Sequence, residues 1–171
     1  MQGKLCRVVI RPIREDDDLV ELTEMLHRAY APLAERGMRY LATHQSVEIT
    51  GERVREGETY FAEFDGRVVG TITLTIRQYP EDGTWQNRSE VATFHQFAVD
   101  PDFQGSGIGT MLLKFVEDRS KQLGARELSL DTSEQADDLI ALYEHKGFRF
   151  VEHVRWSGVN YRSVVMSKTL A

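Results

Sequence analysis

The chain has 171 residues, 41 % of them hydrophobic and 28 % charged, enough apolar material for one domain with a sizeable core. Its 21 basic and 27 acidic residues give a formal net charge of −6, which argues against a nucleic-acid partner and mildly favours cationic ones such as amines. No apolar stretch is long enough to span a bilayer and Met1-Gln2-Gly3-Lys4-Leu5-Cys6 lacks the apolar core of a secretory signal, so a cytoplasmic protein without a membrane partner is expected.

Val8-Val9-Ile10, flanked by Arg7 and Arg11, reads as a first strand. The single Cys6 beside it forms no intrachain disulfide and is too isolated to act as an acyl carrier. Glu15-Asp16-Asp17-Asp18 places carboxylates where a helix start favours them, and Leu19, Leu22, Met25, Leu26 and Ala29 follow at helical spacing. The acid run reads as a cap rather than a metal site, since nothing nearby supplies further ligands. A second helix is expected over about residues 43–56. Thr59–Phe64 and Val68–Ile76 are β-rich, and Asp65-Gly66 between them signals a hairpin. Tyr79–Ser89, with Pro80, Asp82-Gly83 and Asn87, reads as a loop.

A strand follows from about Glu90 to Val99 and is closed by Asp100-Pro101. Ile108, Met111, Leu112, Phe115 and Val116 mark an amphipathic helix ending near Leu123-Gly124. Glu127–Asp131 reads as a strand, and Ala136, Leu139, Leu142 and Tyr143 as a helix stopped by Gly147. The stretches 148–156 and 161–169 read as two strands around Ser157-Gly158. This order (strand, two helices, three strands, helix, strand, helix, two strands) is mixed α/β and lacks the regular alternation of a doubly wound dinucleotide fold.

The chemistry concentrates between Phe97 and Thr110, where a strand ends, the chain turns through Gly105, Gly107 and Gly109, and a helix begins. Glycines let backbone N–H groups approach a ligand, and those groups together with the helix dipole make an anion site suited to phosphate or pyrophosphate. A dinucleotide fingerprint starting at Gly105 would need glycine where Thr110 stands, and a P-loop would need a Gly-Lys-Ser/Thr close. A glycine-rich turn that only packs a helix tightly on a sheet is the structural alternative.

Gln104, Gly107 and Gly109 compose Q-x-x-G-x-G directly after Ala98-Val99-Asp100-Pro101, which resembles the acyl-CoA-binding motif of the GCN5-related N-acetyltransferase (GNAT) family. The order of elements along nearly the whole chain is similar to that family's. The resemblance implies a single acetyltransferase domain over residues 1–171, with a mixed, mostly antiparallel sheet of about seven strands and helices on both faces. It implies acetyl-CoA as donor, its pyrophosphate on backbone amides of Gln104, Gly105, Ser106, Gly107, Ile108, Gly109 and Thr110. Its pantetheine amides would lie along Phe97, Ala98 and Val99. Leu142-Tyr143-Glu144-His145-Lys146-Gly147-Phe148 resembles a second family motif, in which Tyr143 is in register to protonate the departing CoA thiolate. The asparagine that members often carry seven residues earlier is Ala136 here; Asp131, Thr132 or Ser133 are candidate replacements.

The attacking amine must lose a proton, and a base titrating near neutrality points to histidine. His95 stands four residues before Val99, and period-two alternation predicts Thr93, His95, Phe97 and Val99 on one face. Some family members place an imidazole here, whereas the carboxylate base of histone-type members would fall at Thr93. Glu90, acting through water, is a second candidate. Lys114 and Arg119 are candidates for the nucleotide's 3′-phosphate, with a solvated helix face as the plainer reading. No His/Cys/Glu spacing suggests a metal, and Ser106 lacks the strained elbow of a hydrolase nucleophile. The expected reaction is acetyl transfer to a primary amine of a small molecule. A protein lysine or N-terminus as acceptor, and a non-catalytic acyl-CoA sensor, stay open, and family habit suggests a homodimer.

Overall fold

A computed structural model describes residues 7–76 and 83–171. Its seven strands form one sheet in the order β1-β2-β3-β4-β5-β7-β6. They are β1 (Val8–Pro12), β2 (Glu58–Phe64), β3 (Arg67–Ile76), β4 (Val91–Val99), β5 (Glu127–Ser133), β6 (Arg149–Val154) and β7 (Ser163–Thr169). Every pairing is antiparallel except β4 with β5. Helices α1 (Leu19–Glu35) and α2 (Val47–Arg55) cover one face, and α3 (Ile108–Gln122) and α4 (Asp137–His145) the other. The expected mixed sheet with helices on both faces is what the chain builds. Cys6 and positions 79–82 of the expected loop lie outside the described residues; the rest of that loop contains a 3₁₀ turn, Trp85–Asn87.

Local chemistry sets the helix starts. Asp18 accepts from the N–H groups of Val20 and Glu21 at 2.8 and 3.1 Å, so the acid run is a cap. Asp17 instead takes a two-pronged ion pair from Arg11, at 2.8 and 2.7 Å. The helix runs on through Pro32 to Glu35. The second helix is shorter than its expected 43–56 span because Ser46 caps it, accepting from Ile49 N–H at 3.3 Å, after a separate 3₁₀ turn at Leu41–Thr43.

Two apolar layers clamp the sheet. Ile108, Leu112, Leu113 and Val116 of α3 pack on Ile72, Leu74, Phe94 and Leu128, while Leu22, Met25 and Leu26 of α1 pack on Phe61 and Ala98. Leu112 is 0 % exposed, and burying such a side chain contributes about 1.5–3 kcal/mol. The close approach of α3 to the sheet is made at Gly70, where a Cβ would meet Leu112 Cδ1 at 3.0 Å and the Ala98 carbonyl oxygen at 3.3 Å.

Candidate active site

Beyond Val99 the chain is pinned by Asp100, whose buried carboxylate accepts from the Asp102 N–H at 3.0 Å, Arg28 Nη2 at 3.1 Å and Arg67 Nη2 at 2.9 Å. Burial opposes its ionisation, but the Asp102 N–H and the two guanidiniums outweigh that and hold its pKa below the ordinary value. The loop then passes through Gly105 and Gly107 with φ of +76° and +89°, a left-handed backbone that glycine adopts without strain. Gln104 Nε2 donates to the Val99 carbonyl at 3.2 Å, and the Ser106 hydroxyl donates to the Phe103 carbonyl.

Gly107 is the N-cap of α3 and supplies no side chain, so the first intrahelical bond is Met111 N–H to Gly107 O at 3.0 Å. The N–H groups of Ile108, Gly109 and Thr110 therefore point outward without helical partners, and no acidic side chain stands in the first turn. Packing does not demand the last glycine. A Cβ on Gly109 would reach ordinary contact with Phe97 Cζ at 3.5 Å and Val99 Cγ2 at 3.6 Å. The absent side chain instead leaves a cavity wall bare. Lys146 Nζ donates to Thr110 Oγ1 at 3.0 Å, which brings a cation to the same helix end.

That cavity, of about 640 Å³, opens where the sheet splits. Strands β4 and β5 pair only from Val91–Thr93 to Glu127–Ser129, and past that point they diverge. Two tyrosines reach into the split. Tyr30 donates its hydroxyl to the Phe97 carbonyl at 2.9 Å, while the Tyr40 hydroxyl meets Thr132 Oγ1 at 2.6 Å and accepts from the Ser133 N–H at 3.0 Å. Tyr40 also lies 4.9 Å, centroid to centroid, from Tyr161. Of the backbone carbonyls expected to face an arm along 97–99, those of Phe97 and Val99 thus already hold one donor each.

Strand β4 does not keep its alternation. Thr71 pairs with Ala98 but Thr73 with His95, so Gln96 and Phe97 together oppose Ile72, and Gln96 takes φ +49°. This bulge turns the strand end over. His95 faces α2, with its Nε2 3.3 Å from Glu56 Oε2 but off hydrogen-bonding geometry. Phe97 lies on the α3 face, edge-on to Phe94 at 5.7 Å, and Val99 shares that face beside Gly109. The expectation of Thr93, His95, Phe97 and Val99 on one face is therefore corrected: the extra residue separates His95 from Phe97 and Val99. His95, Phe97, Ala98 and Val99 nonetheless all line the cavity.

Tyr143 enters from α4, packed by Phe148 at 5.7 Å and Phe94 at 6.1 Å. Burial pushes its phenol well above the ordinary tyrosine value, so it keeps its proton. Gln104, Gly109, Tyr143 and His95 border one continuous space, whereas Glu90 does not line it. Ala136 is fully buried against Met38 and Tyr161. Its candidate replacements are engaged elsewhere: Asp131 accepts from Trp156 Nε1 at 3.1 Å, Thr132 meets Tyr40, and Ser133 Oγ accepts from Gln135 N–H at 3.2 Å. Lys114 pairs with Asp118 at 2.5 Å, and Arg119 with both oxygens of Glu58 at 2.7 Å. Among the described residues no group of three or more His, Cys, Asp or Glu is placed to hold a metal ion. No helix among them is long and apolar enough to cross a membrane.

The cavity is also lined by residues without any local motif: Tyr30, Tyr40, Arg53, Glu56, Asp131, Trp156 and Tyr161. They come from α1, the segment after it, α2 and its C-cap, β5 and the β6–β7 connection, and only the fold gathers them.

The profile of the Acetyltransferase (GNAT) family matches residues 19–148. The S-(2-succino)cysteine N-acetyltransferase of Bacillus subtilis is 35 % identical over 133 residues, which are 77 % of this chain and 78 % of that protein. A GNAT family acetyltransferase from Elizabethkingia anophelis, solved with acetyl-CoA bound, superposes with a TM-score of 0.67 at 20 % identity, over 96 % of this chain and 99 % of that one. The ribosomal-protein-S18-alanine N-acetyltransferase of Escherichia coli gives 0.72 at 20 % identity, over 96 % and 94 %.

Proposed function

Because the chain belongs to the GNAT acetyltransferase family, we propose that it moves the acetyl group of acetyl-CoA to the primary amine of a small molecule by direct attack. The observation that carries this reading is a helix end whose first N–H groups have no intrahelical partner, with Gly109 of that turn lining the same cavity as Tyr143 and His95. The Gln104–Thr110 loop holds the pyrophosphate. The pantetheine arm follows β4 at Phe97, Ala98 and Val99, where each engaged carbonyl keeps a second lone pair beside Tyr30 or Gln104. The amine nitrogen adds to the thioester carbonyl carbon, and collapse of the resulting tetrahedral oxyanion reforms the C=O and breaks the carbon–sulfur bond. The amine proton passes to His95, directly or through water, with Glu56 beside the imidazolium. A backbone N–H of the 97–99 segment takes the oxyanion, and Tyr143 donates to the leaving sulfur.

The small-molecule acceptor is supported by the aromatic walls of the cavity and by the activity named for the B. subtilis relative. The test is calorimetric titration of acetyl-CoA, followed by thiol release and intact-mass detection of products across amines and peptides. Acetylated small amines are expected. Tight binding without thiol release throughout the panel would point to a sensor, and products on peptides alone would overturn the acceptor class.

A further inference from the structure

Arg53 is the unexplained residue of the acceptor end. It leaves the last turn of α2 and lines the cavity, and burial pulls its guanidinium below the ordinary arginine value. Nη1 donates to Gln45 Oε1 at 2.7 Å, and the charges of Glu56 and Asp131, which line the same cavity, favour the protonated guanidinium. Gln45 is itself buried and fixed, donating Nε2 to Thr50 Oγ1 at 2.7 Å and to Gln96 Oε1 at 2.9 Å. A rigid amide thus aims one edge of the fork and leaves the rest of its N–H donors to the cavity. Arg53 is half-buried, and its planar fork suits a carboxylate that enters the cavity.

Position says which carboxylate. Glu56, three residues on from Arg53, is the neighbour of His95, so the cationic fork and the imidazole approach the cavity from one helix end. A molecule with its amine at His95 and a carboxylate on the adjacent carbon would present both groups to this part of the cavity. We infer that the acceptor is a free α-amino acid whose α-carboxylate is held by Arg53, its side chain lying toward Trp156 and Tyr161. This rests on the acetyltransferase reading and narrows it. A peptide N-terminus or a lysine side chain has no carboxylate in that place.

The test uses the full chain with S-benzyl-L-cysteine and S-benzyl-L-cysteine amide, which differ only at the carboxylate. Initial rates of thiol release from acetyl-CoA should favour the acid over the amide by roughly 10- to 100-fold in kcat/KM, mostly through KM. Arg53→Gln should erase that preference by weakening the acid alone, whereas Arg53→Lys, which keeps the charge and loses the fork, should retain part of it. Equal use of acid and amide by the unaltered protein would overturn the inference and leave acetyl transfer standing. So would an equal fall for both acceptors in a folded Arg53→Gln protein. If neither releases thiol, calorimetry on CoA-saturated protein decides. Binding of the acid alone, lost in Arg53→Gln, would keep the carboxylate site while removing the transfer; binding of neither would overturn the site.

Discussion

Tyr143→Phe separates the chemistry of this side chain from its packing. The ring is 9 % exposed, and its contacts with Phe94 and Phe148 survive the change. Among the described residues no hydrogen bond holds the hydroxyl, and desolvation is the first cause of its raised pKa, so stability should move by less than about 1 kcal/mol. Catalysis should not be spared. An O–H donated to a developing thiolate is a hydrogen bond to a charged group, worth about 1.5–3 kcal/mol. That corresponds to a loss of roughly 10- to 150-fold in the acetyl-transfer step. The raised pKa carries a further consequence. A phenol that holds its proton more tightly than a thiol stabilises sulfur chiefly by donating, so the deficit should be flat across neutral pH. Single-turnover thiol release at saturating acetyl-CoA and acceptor reads the step, beside a thermal melt. Release within about twofold of the unaltered protein, with an unchanged melt, would refute the reasoning.

Two further outcomes follow from the loop. Gly107→Ala forces an L-residue to φ +89°, so it should cost about 1–2 kcal/mol of stability and weaken acetyl-CoA binding, read by chemical denaturation and calorimetry. Asp100→Asn removes the carboxylate that joins Arg28, Arg67 and the Asp102 N–H, and should cost about 1–3 kcal/mol at neutral pH. Because folding holds the Asp100 pKa below its ordinary 3.8, its contribution is whole above that value and fades as pH falls through the lower folded one. An acid titration of stability should therefore be shallower in the variant than in the unaltered protein; parallel curves would count against the assignment.

Legibility differs along the site for a physical reason. An anion loop needs its glycines, strand end and helix start within a dozen residues, so the proposed role of Gln104–Thr110 rests on a local pattern. The motif around Tyr143 is local too, and the structure places that residue on the cavity wall. The bulge at Gln96 is not, because it exists only in the register between β3 and β4, and Phe97 looks like any alternating strand residue. Arg53, Trp156 and Tyr40 are further from reach still. Each is ordinary in its own segment and gains meaning only from elements that the sheet brings together. The helix through Pro32 shows the same limit at smaller scale, since packing of α1 carries it past a residue that locally reads as a stop.

The short pairing of β4 with β5, three residues long, leaves the strand edge beyond it without a partner strand between the two. On the proposed reading that edge grips the carrier identically before and after the acetyl group has gone. Such uniform binding cannot favour substrate over product. Spent coenzyme A should then be a close competitor of acetyl-CoA, and the pace of turnover at high acceptor concentration should follow how quickly the used carrier peels away. By that reasoning, the edge that secures the donor would also slow the departure of what remains of it.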